Sequence, residues 1–430
     1  MSSLVVLLAM VVLMLCGASI AVSIGVASIA VMWAMGGSKL LIMLVQRMWM
    51  GGTSFPLLAV PFFILAGNLM NRGGVTIRIF DVARVLVGGI RGGLAHMVIV
   101  ASMIFAGMTG SAIAEAAGLA IVSVNEMSGA GYSRRFAATL IAAASTIGPI
   151  IPPSIPFVIY GSLANVSVGR LFLAGFLPGI LMGVFLMVAV SIISWRANVQ
   201  RSARLPWAQT GRILLKGIPA FGIPIIIIGG ILGGFFTATE ASAVAVVYGL
   251  VLGFLVDREL QWADLPELLW VSAKQTTQVL FIIAVASAFG WVIVQQQVPN
   301  LILNSLFSLT RDPRLILLII NVVLLILGCL MESLAIMIMT LPIFLPIIAA
   351  VGISPDHFGV VMVLNLMIGL ITPPVGVALF AVGAVAEVPF RHLAHDIWPY
   401  VIALIGVLAI VTYMPDLILW VPNRFMGGAQ

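Results

Sequence analysis

Gly148-Pro-Ile-Ile-Pro-Pro153 recurs in altered form as Gly369-Leu-Ile-Thr-Pro-Pro374, an offset of 221 residues (369 − 148). The same offset carries Gly131 onto Gly352, Ser133 onto Ser354, Arg170 onto Arg391 and Pro178 onto Pro399, so the chain contains an internal duplication. Each proline pair lies inside an apolar segment. Proline has no backbone N–H, and its ring collides with the carbonyl four residues earlier. Each pair therefore breaks a helix and leaves carbonyls without intrahelical partners. Broken helices at matching positions of two halves point to a transporter's midplane site.

Composition sets the solvent. The 430 residues are 62% hydrophobic and 8% charged, with a mean hydropathy of +1.24, against roughly 25% charged in soluble domains. This is the composition of a membrane protein with many spans. The N-terminal stretch from Leu4 to about Met35 is apolar, with no basic n-region or convincing cleavage site, and reads as mature structure. As one helix it would rise about 48 Å, well beyond the roughly 30 Å hydrocarbon core, so a break near Cys16-Gly17 is expected. Cys16 and Cys329 sit in apolar surroundings and read as packing residues, not a disulfide. The net charge of +6 is strung between apolar segments and forms no single basic stripe, which excludes a nucleic-acid surface.

The basic residues report topology. The loop with Arg196, Arg201, Arg204, Arg212 and Lys216 contains no acidic residue and is placed in the cytoplasm. The helix from about Leu171 to Trp195 then starts outside, and the broken segment from Phe136 to Ala164 starts inside, beside Arg134 and Arg135. The segment from about Gly93 to Glu126 has basic residues before and after it and must be a re-entrant hairpin, its tip at Gly107-Met-Thr-Gly-Ser111. Spans at Gly217–Phe235, Thr237–Val256 and Thr276–Val294 leave Gln295–Arg314 outside. The segment Arg72–Arg91 is cytoplasmic while its counterpart is periplasmic, so the repeats have opposite orientation. A second hairpin, about Leu315 to Val351 with Glu332-Ser333 near its turn, opens outward. Arg72–Arg91, with four arginines among Ile77, Phe80, Val85 and Leu86, suits a helix lying in the membrane interface.

Carboxylates in apolar stretches need a reason, because a charge at the bilayer centre costs about 3 kcal/mol on the insertion scale. Glu115, Glu240 and Glu332 qualify. They read either as ion coordination, proton coupling or a polar lock near the hairpin tips, or as caps on helix starts, the latter favoured for Glu240 after Thr237-Ala-Thr239. Sodium prefers hard oxygen ligands. Carbonyls released at Gly148, Ile151, Gly369 and Thr372, with hydroxyls of Thr109, Ser111 and Thr372, suit it, while half-helix N-termini face an anionic substrate group. Pro153, Ser154, Ser333 and Pro374 are the candidate substrate contacts. His96, His357, His392 and His395 have no metal-ligand spacing and read as interfacial. No phosphate-binding loop follows the Gly-rich stretches, so energy must come from an ion gradient or another chain.

The chain resembles the large membrane subunit of tripartite ATP-independent periplasmic (TRAP) transporters. The resemblance rests on Pro61-Phe-Phe-Ile-Leu-Ala-Gly-Asn68, Gly107-Met-Thr-Gly-Ser-Ala112, Ile151-Pro-Pro-Ser-Ile-Pro156 with Tyr160-Gly161, and Leu171-Phe-Leu-Ala-Gly-Phe-Leu-Pro-Gly179. It continues through Phe236-Thr-Ala-Thr-Glu-Ala241, Met331-Glu-Ser333, Asn365, Gly369 and Thr372-Pro-Pro-Val-Gly376, covering nearly the whole chain. It implies an all-α polytopic fold related to sodium-coupled elevator carriers. Scaffold and arm helices would fall in 1–92 and 196–313, and the two transport-domain halves, each with a hairpin and a broken helix, in 93–195 and 314–430. Carried over by position, one sodium site falls around Ser111, Gly148 and Ile151 and a second around Glu332, Gly369 and Thr372. The implied partners are a small four-helix membrane subunit, expected as a separate chain, and a periplasmic binding protein that delivers an organic carboxylate. The setting is the lipid bilayer of the bacterial inner membrane.

Two other readings compete. A self-sufficient ion-coupled anion carrier would need no binding protein. An intramembrane enzyme would need paired Asp-Asp, His-Glu-x-x-His or Gly-x-Ser-x-Gly patterns, which the sequence lacks.

Overall fold

Every regular element among the described residues of this computed structural model is a helix. The structure describes residues 12–13, 16–196 and 206–427. The start of the apolar stretch at Leu4 and the loop arginines Arg201 and Arg204 lie outside them. Cys16 and Gly17 form a turn, with Gly17 at a positive φ of 87°, and Ser19 caps the helix that follows. The expected break is therefore present. Both cysteines are free.

The chain opens with α1 (Ile20–Gly36), α2 (Ser38–Gly52), α3 (Ala59–Arg72) and the short arm α4 (Val75–Val87). A hairpin of α5 (Gly93–Thr109) and α6 (Ala112–Gly129) follows, then a broken helix of α7 (Arg134–Ala144) and α8 (Ile155–Ala164), then α9 (Val168–Arg196). The middle of the chain is α10 (Trp207–Gly217), α11 (Gly222–Leu232), α12 (Ala238–Val251) and α13 (Leu265–Gln295). The pattern then repeats with the arm α14 (Val298–Leu309), the hairpin α15 (Pro313–Gly328) and α16 (Ser333–Ala350), and the broken helix α17 (Pro355–Gly369) and α18 (Val377–Ala386). The chain closes with α19 (Phe390–Asp396), α20 (Trp398–Tyr413) and α21 (Pro415–Met426).

The repeat is structural as well as textual. Adding 221 to the limits of α6 gives those of α16, and the two arms, the first hairpin helices and the broken helices correspond within a few residues. A hairpin returns to the side it started from. Between the starts of the two hairpins the crossings are the broken helix α7–α8 and then α9, α11, α12 and α13, an odd number, so the halves are inverted. Six described helices are long and apolar enough to span a membrane, or seven if α19 and α20, bent by 48°, count as one. The arm helices and the broken halves fall short of that length because they do not cross alone.

The broken helices occupy the centre. Every residue of α17 from Asp356 to Gly369 is buried, as is α7 from Ala137 to Ala144. A helix apolar all round has no solvent face and must be enclosed by others. Their near-polar ends are held by ion pairs across the repeats. Arg170 at the start of α9 meets Asp356 in the first turn of α17 at 2.7 Å, and Arg135 in the first turn of α7 pairs with Asp396 at the end of α19. Positions 135 and 356 are repeat equivalents, so each half anchors its broken helix to the other half with the charges exchanged. Between them, buried Asn365 donates to Asn321 Oδ1 at 2.9 Å, and Asn321 donates to Thr412 at 2.9 Å, joining α17, α15 and α20. A smaller apolar cluster of Ile24, Met32, Phe289 and Ile293 packs α1 on α13 away from this centre.

Two expectations change, and the arm gains detail. The span expected from Thr276 begins at Leu265 and runs 31 residues, because its polar lead-in, Glu267 to Gln275, is helical too. The arm turns Val75, Ile79, Phe80 and Val82 inward, while Ile77 and Leu86 are exposed. Of the four apolar residues read for an interfacial helix, Ile77 and Leu86 are thus on the outer face, Val85 is half-buried and Phe80 is buried. The arginines of the segment Arg72–Arg91 also tie it to the protein, since Arg78 and Arg84 of the arm pair with Asp257 and with Glu126 of α6, and Arg72 at the end of α3 pairs with Asp264 at 2.6 Å. His96 and His357 are not interfacial. Both are buried, His96 between the Gly92 carbonyl (3.0 Å) and Ser191 (2.9 Å), His357 against the Val411 carbonyl at 2.8 Å.

Arg170 and Asp356 are 11% and 6% exposed. Removing one partner strands a buried charge, a loss of about 3–5 kcal/mol. Arg170→Ala is expected to lower the melting temperature in detergent strongly, and Arg170→Met with Asp356→Leu to recover part of the loss.

Candidate functional site

Each hairpin turn sits on the break of its own half. Gly110 ends α5 with φ 58°, and a Cβ there would lie 2.8 Å from the Pro153 carbonyl oxygen and 3.1 Å from the Ile155 nitrogen. Only glycine fits, by conformation and by space. In the second half Val375 N donates to the Cys329 carbonyl at 3.2 Å, and a Cβ on Gly328 would lie 3.0 Å from Gly369 Cα. Backbone groups released by the breaks are partly met by tight local turns, Ile150 N to Ile147 O at 2.9 Å and Thr372 N to Gly369 O at 3.0 Å.

The residues singled out in the sequence divide into two groups. Ser111, Glu332 and Ser333 reach a cavity of about 520 Å³ between the hairpin tips and the pair α3 and α13. Ser111 and Glu332, which the offset of 221 equates, are both N-caps. Ser111 Oγ accepts from Ala114 N at 3.5 Å, and Glu332 accepts from Ala335 N at 3.1 Å and from Ser333 Oγ at 3.2 Å. Gly148, Ile151, Pro153, Ser154, Gly369, Thr372 and Pro374 do not line that cavity. Ser154 is fully buried as the cap of α8, accepting from Phe157 N at 3.2 Å and donating to the Pro149 carbonyl. Pro153 is buried and Pro374 exposed, Ile151 packs on Gly179, and the Thr372 hydroxyl donates to the Ile368 carbonyl at 2.6 Å. Thr109 ends α5, its side chain outside the described atoms. The lone pairs of the Thr372 oxygen, the Glu332 carboxylate and the Ser111 oxygen are hard donors of the kind sodium takes.

The two remaining carboxylates separate cleanly. Glu240 closes a capping box with Thr237, accepting from its N and Oγ1 at 2.8 Å each. Glu115 caps nothing. It is fully buried in the first turn of α6, accepts from Ser102 of α5, and points its other oxygen at the first break, where a Cβ on Gly148 would overlap it. The Ser102 hydroxyl, whose single proton serves both acceptors, also lies 2.7 Å from the Ala144 carbonyl, so the hairpin and the broken helix meet at this point.

Sequence reasoning passed over the opposite wall. Asn68 and Asn71 on α3, and Gln275 and Gln278 on α13, line the cavity. Asn68 donates to Ser272 at 2.8 Å and to Gln275 Oε1 at 3.0 Å. A signal was available: the members of each pair are spaced three residues apart, which places them on one helix face, although polar neighbours such as Arg72, Lys274, Thr276 and Thr277 obscure it. The hairpin wall is repeat-symmetric in part, with Ser111, Ile113 and Pro149 matching Glu332, Leu334 and Leu370, whereas Ala117, Ile155 and Pro156 line it without their counterparts.

Inverted repeats, paired hairpins and a cavity closed by both tips define a polytopic membrane transport protein. The chain belongs to the family described as the tripartite ATP-independent periplasmic transporter, DctM component, which it matches over residues 7–417. It is 42% identical over 385 residues to the sialic acid TRAP transporter large permease protein SiaM of Vibrio cholerae, covering 90% of each chain. It is 39% identical to the 2,3-diketo-L-gulonate TRAP transporter large permease protein YiaN of Escherichia coli, covering 87% of this chain and 88% of that one. The fold is that of the YdaH transporter of Alcanivorax borkumensis, with a TM-score of 0.64 over 89% of each chain at 15% identity. The family and fold expectations from the sequence therefore hold.

Gly148→Ala is expected to destabilise the protein by about 1–3 kcal/mol through overpacking against Glu115, and Glu115→Ala in the same chain to relieve it. Thermal unfolding of the single and double variants measures this.

Proposed function

We propose that this chain is the substrate-translocating subunit of a sodium-driven system that imports an organic acid across the bacterial inner membrane. A periplasmic binding protein delivers the acid, and a separate small four-helix subunit completes the membrane complex. The observation that carries this reading is the cavity between the hairpin tips and the α3–α13 wall. Movement of 93–195 and 314–430 against 1–92 and 196–313, as in an elevator, would carry the hairpin wall of that cavity, with a substrate held on it, past the α3–α13 wall from one side of the bilayer to the other.

The charges in the cavity suit a carboxylate travelling with a cation. The first N–H groups of a helix have no intrahelical partners, and the dipole there favours negative charge. The start of α6 presents Ala112 and Ile113 to the cavity behind a neutral cap, Ser111, and is the natural seat for an anion. The start of α16 already carries the Glu332 carboxylate, which attracts a cation. Sodium around Ser111, Gly148 and Ile151, and around Glu332, Gly369 and Thr372, would offset the anion's charge and tie its passage to the gradient. The acids named for SiaM and YiaN support an organic acid as cargo.

Proteoliposomes holding this chain and its small subunit test the reading. Uptake of a radiolabelled organic acid is expected only with an inward sodium gradient and the cognate binding protein together. Uptake without the binding protein would replace this reading with a free-standing carrier. Thr372→Ala is expected to raise the half-saturating sodium concentration roughly tenfold, about 1.4 kcal/mol of ion binding, with assembly intact. An unchanged sodium dependence would remove Thr372 from the site.

A further inference from the structure

The span that leads into the first arm is jointed. α2 and α3 lie end to end along α13: Gly51 packs on Ser287 so closely that a Cβ would overlap its oxygen, Gly52 packs on Ala284, Asn68 reaches Ser272 and Arg72 reaches Asp264. The offset of 221 sets 38–72 against 259–293, which is most of α13. α13 is one continuous helix. Its counterpart stops at Gly52, passes through Thr53 and Ser54, and restarts as a tight turn at Phe55-Pro56. The joint is therefore not part of the duplicated framework. Its depth follows from α13, whose 31 residues rise about 46 Å, so that a roughly 30 Å hydrocarbon core centred on it begins about 8 Å inside each end. Ser287 and Ala284 lie 8 and 11 residues before Gln295 (295 − 287 and 295 − 284), about 12–17 Å inside. The joint stands within the core.

A continuous helix would pair Ser54 N–H with the Met50 carbonyl and Phe55 N–H with the Gly51 carbonyl. None of these four groups finds a partner among the described residues, and Pro56 has no N–H for the Gly52 carbonyl. Protein covers the inner side of the joint, where Ser54 Oγ meets Ser162 of α8 at 2.5 Å and Thr239 of α12 donates to the Phe55 carbonyl at 3.4 Å. The outer side is bare. Thr53 is exposed, and around it Trp49 is 71%, Met50 64% and Phe55 60% exposed. None of these residues lines the cavity. Hydrocarbon offers no partner to a free N–H or C=O, so lipid cannot be what covers this side.

We propose that the outer side of the α2–α3 joint is the docking face for the small membrane subunit, one of whose helices covers the joint and brings a hydroxyl or amide side chain to its open N–H and carbonyl groups. The inference rests on the two-subunit reading above and gives that partner its place. Helices in lipid associate through close packing and interhelical hydrogen bonds, since burial from lipid supplies no hydrophobic drive. The joint offers both. Trp49, Met50 and Phe55 supply packing surface of the residue types that fill interface cores, and the interrupted backbone supplies donors and acceptors between them. A partner seated there lies on the opposite side of the joint from α8, clear of the hairpin tips.

The test is photo-crosslinking within the purified complex of this chain with its small subunit. Benzoylphenylalanine is placed in turn at Trp49, Met50 and Phe55, and at two comparably exposed control positions, Ile225 of α11 and Ile402 of α20. Crosslinks to the small subunit are expected from at least two of the first three and from neither control. The double variant Trp49→Ala, Phe55→Ala is expected to weaken retention of the small subunit about tenfold, the loss of aromatic anchors at an interface centre. Its melting temperature as a lone chain, expected to stay near the parent's, confirms folding. Ile225→Ala with Ile402→Ala is expected to retain the small subunit as the parent does. Crosslinks from the controls alone, or none from the three joint positions in a complex that holds together, would overturn the inference and leave the two-subunit reading standing. Full retention in the Trp49→Ala, Phe55→Ala variant would do the same. A parent chain that retains no small subunit would sink the two-subunit reading and the docking face with it.

Discussion

Hydrocarbon supplies no water to an unpaired backbone N–H or C=O, and this chain interrupts its helices at membrane depth in two breaks and two hairpin turns. Every such group must find its partner in protein. In the second half the hairpin turn supplies one such partner, Val375 N donating to the Cys329 carbonyl, and in the first half Gly110 packs closely against Pro153. The structure then encloses both breaks within the remaining helices. The glycines at the points of closest approach, and the caps Ser111, Ser154 and Glu332, are consequences of that single requirement.

The duplication builds a symmetric frame, and selected substitutions make it asymmetric where chemistry is needed. Ser111 faces Glu332 across the pseudo-symmetry, so one hairpin presents a neutral helix start and the other a carboxylate. Glu115 has Ile336 as its counterpart, which leaves only the first half with an acid aimed at its break. Pro149 and Leu370 occupy equivalent places on the cavity wall with different backbone freedom. A symmetric cavity would treat both ends of a bound molecule alike. This one is asymmetric.

Much of this was legible along the chain. Proline chemistry and a fixed offset located both breaks, and small and hydroxyl residues located the first hairpin turn, because these signals act within a few residues of backbone. The positive-inside count and the repeat, each read separately, led to the inverted halves that the order of helices confirms. Two of the four histidines, His96 and His357, are enclosed by protein for a reason the sequence does not show. A lone histidine in a polar-looking stretch gives no sign of whether a carbonyl from a distant helix waits for it, as the one at Val411 does for His357.

By itself, the sequence determined that the chain is an inverted, proline-broken membrane bundle of a known transporter family, since backbone chemistry, hydropathy and repeat spacing are local or periodic properties. Only the tertiary structure decided which polar residues face a common space. It turned Ser154 inward as a cap and set Glu115 against Gly148 instead of against a helix end. It also brought Asn68 and Asn71 opposite Gln275 and Gln278, more than 200 positions apart, to close a cavity with the hairpin tips. Helix spacing shows which residues share a face, but the neighbour that a face meets depends on how the whole bundle packs.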